Sequence, residues 1–132
     1  MNAVMIENRY GPKLNTQHNL ALLPAEDAIS LLDDSKVLGL TLLGVEAFRL
    51  LPDGRIQPSM EFSNISFGKV EGREGRLVCT EFRRRLREPW HQSKDPFEES
   101  KALIRAGVAN GFAWYEVSIE DPETGHLLFF ED

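Results

Sequence analysis

The sequence has little of what most metal-binding and nucleophilic sites are built from. It contains one cysteine, Cys79, and three widely separated histidines, His18, His91 and His126, in 132 residues. A single cysteine excludes an internal disulfide and any zinc site made from several cysteines. The histidines show no recognisable ligand spacing, so we expect neither a metal nor a cofactor. Cys79 has apolar neighbours, and we expect it to be a buried structural side chain.

Long hydrophobic runs are also missing. The longest apolar stretch, Val37 to Val45, is interrupted by two glycines and a threonine. It falls well short of the ~20 residues that a helix needs to cross a bilayer. The first residues lack the basic start, apolar stretch and small-residue cleavage site of a signal peptide. The sequence therefore predicts a cytoplasmic protein that has no membrane partner.

The formal charge of −6 argues against nucleic acid as the partner, because neutralising phosphates requires a basic face. Basic groups are nevertheless concentrated in Lys69 to Arg87, which holds seven of them against three acids, a local charge of +4. The rest of the chain then carries −10. We expect two electrically distinct surfaces if this basic segment is exposed. Its run of arginines can bind an anionic partner or form the outer side of an amphipathic element.

The first half of the chain predicts a helix followed by a hairpin. Residues 1–22 show no clear pattern, whereas residues 24–34 have the spacing and the acidic first turn of a helix. Residues 37–51 are rich in β-branched and apolar side chains and predict a strand. A tight turn at Pro52–Gly54 leads to a second strand over Ile56–Phe62.

The second half predicts a capped helix and another hairpin. Residues 76–90 fit either a strand or a helix. The clearest helix follows, with Asp95 as its cap, Pro96 at its first position and Gly111 as its stop. We expect Phe97, Ile104 and Val108 to share its buried face. A strand over 112–120, a turn over 121–125 and an antiparallel strand over 126–132 complete a single α+β domain spanning residues 1–132. Its sheet is mainly antiparallel, with two or three helices packed on it.

The final hairpin concentrates acidic residues, namely Glu116, Glu120, Asp121, Glu123, Glu131 and Asp132. Two carboxylates can act as acid and base in glycoside cleavage, but six on one hairpin fit a solvated face or a surface for a basic partner better. Trp114 and Tyr115 lie on opposite faces of the strand, so one belongs to the core and the other is an exposed anchor. The predicted partner-binding residues are Trp114, Tyr115, Glu116, Glu120, Asp121 and Glu123.

The stretch "PAEDAISLL" followed by "LGLTLLGVEAFRLLPDGRIQPSMEFS" resembles small bacterial immunity proteins of polymorphic-toxin and contact-dependent inhibition systems. In those proteins a short helix precedes an apolar "GVE-F" strand and a glycine-containing turn. The matching residues here are Gly44, Val45, Glu46, Phe48 and Gly54, within about 40 residues of similarity. The resemblance implies a protein without catalytic activity or cofactor that neutralises a cognate toxin, commonly a nuclease or another cytoplasmic enzyme, by binding it.

Two alternatives belong to other classes. One is a small enzyme whose site assembles from distant residues such as Cys79, His91 and a carboxylate, which a shared pocket would favour. The other is a regulatory module whose basic segment contacts an anionic partner. Salt-sensitive binding to RNA or DNA would favour that second alternative.

Overall fold

The computed structural model describes residues 2–65 and 95–130. Cys79, Trp90, His91 and the basic segment Lys69–Arg87 lie outside the described residues, as do Glu131 and Asp132. The described elements are α1 (Ala3–Tyr10), a 3-10 turn (Gly11–Lys13), β1 (Leu22–Pro24), α2 (Ala25–Val37), β2 (Thr41–Leu50), β3 (Ile56–Ile65), α3 (Pro96–Ala109) and β4 (Trp114–Glu120). The predicted α+β architecture with a mainly antiparallel sheet is confirmed.

The sheet has the strand order β1-β4-β2-β3, and all neighbours are antiparallel. β2 and β3 form the predicted hairpin, whose turn places Gly54 in the left-handed region at φ +88°. Pro58 lies opposite Phe48 within β3. Proline is tolerated there because β3 is the outer strand of the described sheet. β4 is last in sequence, yet it lies between β1 and β2.

The helix boundaries follow their capping residues. The side chain of Asp95 accepts a hydrogen bond from the Glu98 amide at 3.2 Å, Pro96 starts α3, and Gly111 follows it at φ +90°. These three predictions are confirmed. α2 continues to Val37 and ends before Gly39, whose φ of +71° turns the chain into β2. The predicted strand start at residue 37 was therefore four residues too early.

The core lies between the sheet and the helices. Alternate residues of β4, namely Tyr115, Val117 and Ile119, are buried in one cluster with Ile6 of α1, Leu31 and Leu32 of α2, and Ile104 of α3. The buried face of α3 consists of Phe97, Ser100, Ile104 and Gly107. The prediction that Val108 belongs to this face is wrong, because its side chain is 47% exposed. Spacings of three and four residues keep the buried positions on one stripe, and Val108 lies beside it.

Both ends of the chain differ from the sequence-based prediction. The unassigned N-terminal stretch contains α1, where the side chain of Asn2 accepts a hydrogen bond from the Met5 amide at 3.0 Å. The predicted last strand is wrong, because residues 126–130 form no regular strand and make only an isolated bridge between Leu127 and Glu120. The left-handed φ of +70° at Phe129 interrupts the extended backbone there.

Candidate functional site

The six residues predicted to bind a partner do not form one surface. Tyr115 is fully buried and belongs to the core, as expected for one of the two aromatics, while Trp114 is partly exposed. Asp121 and Glu123 lie in the turn after β4. With a rise of ~3.3 Å per residue, Trp114 and this turn are roughly 20 Å apart along the strand. Trp114 therefore cannot serve as the anchor of a small site that is centred on the turn.

Glu116 and Glu120 are each only 2% exposed. The interpretation of these two carboxylates as a solvated face is therefore wrong. β4 is also a central strand, between β1 and β2, and not part of a terminal hairpin. Glu116 lies opposite Glu46 of β2, and one of its carboxylate oxygens accepts a hydrogen bond from the Ala21 amide at 3.2 Å. Their participation in binding stays a prediction. In the turn at this end of the sheet, Glu123 is exposed and Asp121 is half-buried.

Hydrogen bonds hold the turn after β4 in one conformation. The Asp121 side chain accepts a bond from the Glu123 amide at 3.0 Å, and the Asp121 carbonyl accepts one from the Gly125 amide at 2.8 Å. The Asp121 amide donates to the carbonyl of His126 at 2.9 Å, which closes the turn. Gly125 supplies a left-handed residue at φ +76°. The two acidic side chains are thus presented by a backbone with defined local geometry.

The turn forms one wall of a small depression, which we call the turn site. It is lined by Asn2, Ala3, Leu38, Gly39, Leu40, Asp121, Pro122 and Glu123, and its volume is about 180 Å³. Sites for small molecules usually measure roughly 300–1,000 Å³. The turn site is therefore better matched to one side chain of a protein partner than to a metabolite.

The surroundings of the turn site combine apolar and acidic groups. Ala3 is followed in the chain by Val4 and Met5, which are 61% and 53% exposed, and Leu38 is preceded by Val37, which is 85% exposed. The carboxyl end of α2 contributes the negative end of its dipole. Exposed apolar side chains beside a polar rim are typical of protein interfaces.

The basic side chains of the described residues are mostly engaged elsewhere. Lys101 bonds Asp33 at 2.6 Å and Glu98 at 2.7 Å, and Lys36 bonds Asp95. These contacts raise the pKa of both lysines, and the bond from Lys36 lowers the pKa of Asp95. Arg55 pairs with Asp53 at 2.6 Å. Within the described part of the chain no basic side chain pairs with Asp121 or Glu123, which leaves their charges available.

A second cleft, of about 360 Å³, lies between α1 and α2 and is also acidic, but its charges are paired. Asp34 accepts hydrogen bonds from the Tyr10 hydroxyl at 2.7 Å and from Arg9 at 2.9 Å, while Lys13 pairs with Asp27 at 2.9 Å. Burial, followed by the bond to Asp34, raises the pKa of Tyr10 to about 12. This arrangement fastens α1 to α2, and we interpret it as structural.

Sequence reasoning found the acidic half of the turn site and missed the rest. Asn2 and Ala3 fell in the unassigned N-terminal stretch, and residues 38–40 were assigned to a strand. For the part of the turn site outside the acidic turn, the sequence signal was Gly39, whose position after an amphipathic helix is typical of a helix stop. Nothing in the sequence indicated that the start of α1 and the end of α2 would lie against the turn.

Among residues 2–65 and 95–130, no three His, Cys, Asp or Glu side chains are grouped so that they could hold a metal ion. No helix in these same ranges is both long enough and apolar enough to cross a bilayer. No protein-family model matches the chain, and no curated protein matches it significantly.

Proposed function

We propose that this chain is a binding protein without catalytic activity, which neutralises a cognate bacterial toxin in the cytoplasm by occupying its surface. The toxin class comes from the resemblance of residues 24–63 to immunity proteins. The observation that supports a binding role is the turn site, where the carboxylates of Asp121 and Glu123 stand on a hydrogen-bonded turn and pair with no basic side chain of the described residues. Val4, Met5 and Val37, which adjoin residues of the turn site in the chain, have exposed apolar side chains.

The charges of the turn site determine the kind of partner. Asp121, Glu123 and the carboxyl end of α2 all favour a positive group. The described residues carry fifteen carboxylate side chains and seven basic ones, so their formal charge is −8. Such a field accelerates association with a basic protein and is screened by salt. The matching partner is a toxin domain with a basic surface, such as a nuclease.

The charged and the apolar residues of the proposed interface should affect different rate constants. The carboxylates of Asp121 and Glu123 act mainly on the rate of association, because rim charges steer encounter more than they hold the complex. The apolar groups at Val4, Met5 and Val37 act mainly on dissociation, because desolvated contacts dominate the lifetime of a complex. The two groups of residues can therefore be tested separately.

The experiment begins with a toxin domain that co-purifies with the chain, or with one encoded beside it. Association and dissociation rates are measured by surface plasmon resonance for the parent and for Asp121→Asn with Glu123→Gln. Asparagine keeps the acceptor for the Glu123 amide, so the turn is preserved while the charge is removed. The matched control is Glu61→Gln with Glu99→Gln, which removes two exposed charges from β3 and α3.

We expect the turn variant to associate about tenfold more slowly at low salt, with the difference shrinking above ~0.1 M salt, where the Debye length is ~10 Å. The control variant should associate at nearly the parental rate. Equal slowing in both variants would show that net charge, and not the turn site, guides the partner. No slowing in either would remove the turn site as the docking surface and leave Lys69–Arg87 as the next candidate.

A further inference from the structure

The end of α3 carries the one asparagine in the chain that is followed by glycine, the pair Asn110 and Gly111. Both residues are exposed. Asparagine is a thermolabile residue, because the backbone nitrogen of the next residue can attack the carbon of its side-chain amide. Glycine in that next position hinders the attack least, since it has no Cβ atom. The pair is therefore where this reaction meets the least steric resistance in the sequence.

Hydrogen bonds at the helix end hold both reacting groups. Nδ2 of Asn110 donates to the carbonyl of Ala106 at 2.8 Å, which directs the side chain toward the preceding turn of the helix. The Gly111 amide donates to the carbonyl of Val108 at 3.1 Å. The attacking nitrogen and the leaving group are thus each engaged in a hydrogen bond, and both bonds must break before the two groups can react.

The backbone of Asn110 adds a geometric barrier. The cyclic imide that the attack produces contains Cα, Cβ, Cγ and the carbonyl carbon of Asn110 together with the Gly111 nitrogen. This ring can close only when Cβ and that nitrogen are nearly eclipsed about the Cα–C bond. At the observed ψ of 14° the two atoms are far from eclipsed. The chain must therefore leave its folded conformation locally, and such opening is most frequent at helix ends.

We propose that Asn110 is a site of spontaneous deamidation, which the folded end of α3 keeps slow and which proceeds when that end frays. The Gly111 nitrogen gives its proton to solvent and forms a bond to Cγ of Asn110, while the Cγ–Nδ2 bond breaks and the nitrogen leaves as ammonia with a proton from solvent. Water then opens the imide at either carbonyl, giving aspartate or isoaspartate. Both products add one negative charge, and no oxidant or reductant is consumed. This inference does not depend on the proposed function.

The products weaken the helix end for two reasons. A carboxylate at Asn110 cannot donate to Ala106, and it faces the negative end of the α3 dipole. Isoaspartate also inserts one carbon into the backbone two residues before Phe112. The Phe112 amide donates to the Gly107 carbonyl at 2.9 Å, and the Phe112 carbonyl oxygen lies 2.7 Å from the Tyr115 hydroxyl oxygen. The isoaspartate form should therefore be less stable than the aspartate form.

Peptide mapping by mass spectrometry, during incubation of the full chain, measures the reaction. We expect Asn110 to deamidate at least about tenfold more slowly in the native protein than in urea, because at least two hydrogen bonds must open first. In urea it should react faster than the other asparagines. Equal rates in the native protein and in urea would overturn the protection, and a reaction at Asn110 no faster than elsewhere in urea would overturn the site.

A matched pair of substitutions tests whether fraying controls the native reaction. Ala106→Gly and Ala102→Gly both replace exposed alanines of α3, and each lowers helix propensity by a similar amount. Only Ala106 lies in the last turn, so Ala106→Gly should speed native deamidation about three- to fivefold, whereas Ala102→Gly should react at nearly the parental rate. Equal acceleration in both variants, or none in Ala106→Gly, would overturn the role of fraying.

Urea unfolding of aged protein measures the consequence for stability. The deamidated forms, separated by ion-exchange chromatography, should unfold at lower urea concentrations than the parent, and the isoaspartate form at the lowest. Asn110→Ser cannot form the imide through residue 110, so its urea midpoint should not change during the same incubation. An unchanged midpoint in the isolated isoaspartate form would contradict the expected weakening of the helix end.

Discussion

Gly107 is the position in α3 where adding one methyl group should do the most damage. A Cβ atom there would lie 2.2 Å from the Tyr115 hydroxyl oxygen, 3.3 Å from Cζ of the same ring and 3.4 Å from Cβ of Phe62. The ring cannot retreat freely, because its hydroxyl oxygen lies 2.7 Å from the carbonyl oxygen of Phe112 and 3.1 Å from that of Ile104, and its single proton is donated to this pair. Glycine at this position therefore allows β4 to pass closely beneath the helix.

The size of the effect follows from opposing contributions. In a helix interior alanine is favoured over glycine by about 1 kcal/mol. Overpacking a well-filled core costs about 1–3 kcal/mol. Displacing the hydroxyl also loses its hydrogen bond, which is worth about 1 kcal/mol. We therefore expect Gly107→Ala to lower the free energy of unfolding by about 1–3 kcal/mol.

A double-mutant cycle with Tyr115→Phe isolates the cause. Tyr115→Phe alone should cost about 1–2 kcal/mol, because the carbonyls of Ile104 and Phe112 lose the single donor that they share. In the double variant the atom at 2.2 Å is absent, so its loss should be smaller than the sum of the single losses by at least about 1 kcal/mol. Urea unfolding gives all four free energies. Gly11→Ala serves as the control, because a Cβ at Gly11 would meet nothing within 4 Å.

Two outcomes would refute this reasoning. Additive losses in the cycle would mean that the Tyr115 hydroxyl is not what excludes the methyl group. A Gly107→Ala variant more stable than the parent would mean that the core yields at little cost, leaving only the gain in helix propensity.

Further predictions concern buried and charged groups. The hydroxyl of Ser100 is buried and has no hydrogen-bond partner among residues 2–65 and 95–130. Ser100→Ala should therefore be neutral or stabilise by up to about 1 kcal/mol in urea unfolding, and a loss above about 1 kcal/mol would contradict this. The pKa values of the two tyrosines, Tyr10 and Tyr115, are both raised to about 12, chiefly by burial. Their contribution to the free energy of unfolding is complete below pH ~10, the ordinary pKa of tyrosine in the unfolded chain, and is lost as pH rises from about 10 to 12. Ultraviolet titration of the native protein should therefore show almost no tyrosinate at pH 10. Because the bond to Lys36 lowers the pKa of Asp95, its stabilising effect is present above the ordinary carboxylate pKa and is lost as pH falls below it. Acid unfolding of Asp95→Asn should therefore depend less on pH than that of the parent.

Local chemistry allowed part of the fold to be predicted from sequence. Asp95, Pro96 and Gly111 define α3 because each acts on the backbone within a few residues of itself. The turn that ends at Gly54 is similarly local. Local sequence does not show which strands, distant in the chain, will pair in the sheet. The prediction therefore paired β4 with the residues that directly follow it.

That error affected the candidate site directly. The side chains of Glu116 and Glu120 are buried, so these two residues were misinterpreted. In the turn, Glu123 is exposed and Asp121 is half-buried. The residues that line the turn site come from three segments that are distant in the chain. The sequence pattern within one segment does not predict that the other two lie against it. The part of the resemblance to immunity proteins that rests on particular residues lies before the turn.

The position of β4 also has a consequence for how the chain folds during synthesis. β1 and β2 are separated in the sheet by the width of one strand, and only residues 114–120 fill that space. A ribosome releases these residues after the other described strands, so β1 pairs with none of those strands until late in translation and has only the isolated bridge of Leu22 with Asn15 within the described residues. The pairings of Leu22 with Glu116 and of Thr41 with Glu120 also close long loops, which slows folding relative to local contacts. A nascent chain that has not yet exposed β4 can form the β2–β3 hairpin but leaves one side of β2 open, and that side is the edge most prone to pair wrongly with another chain.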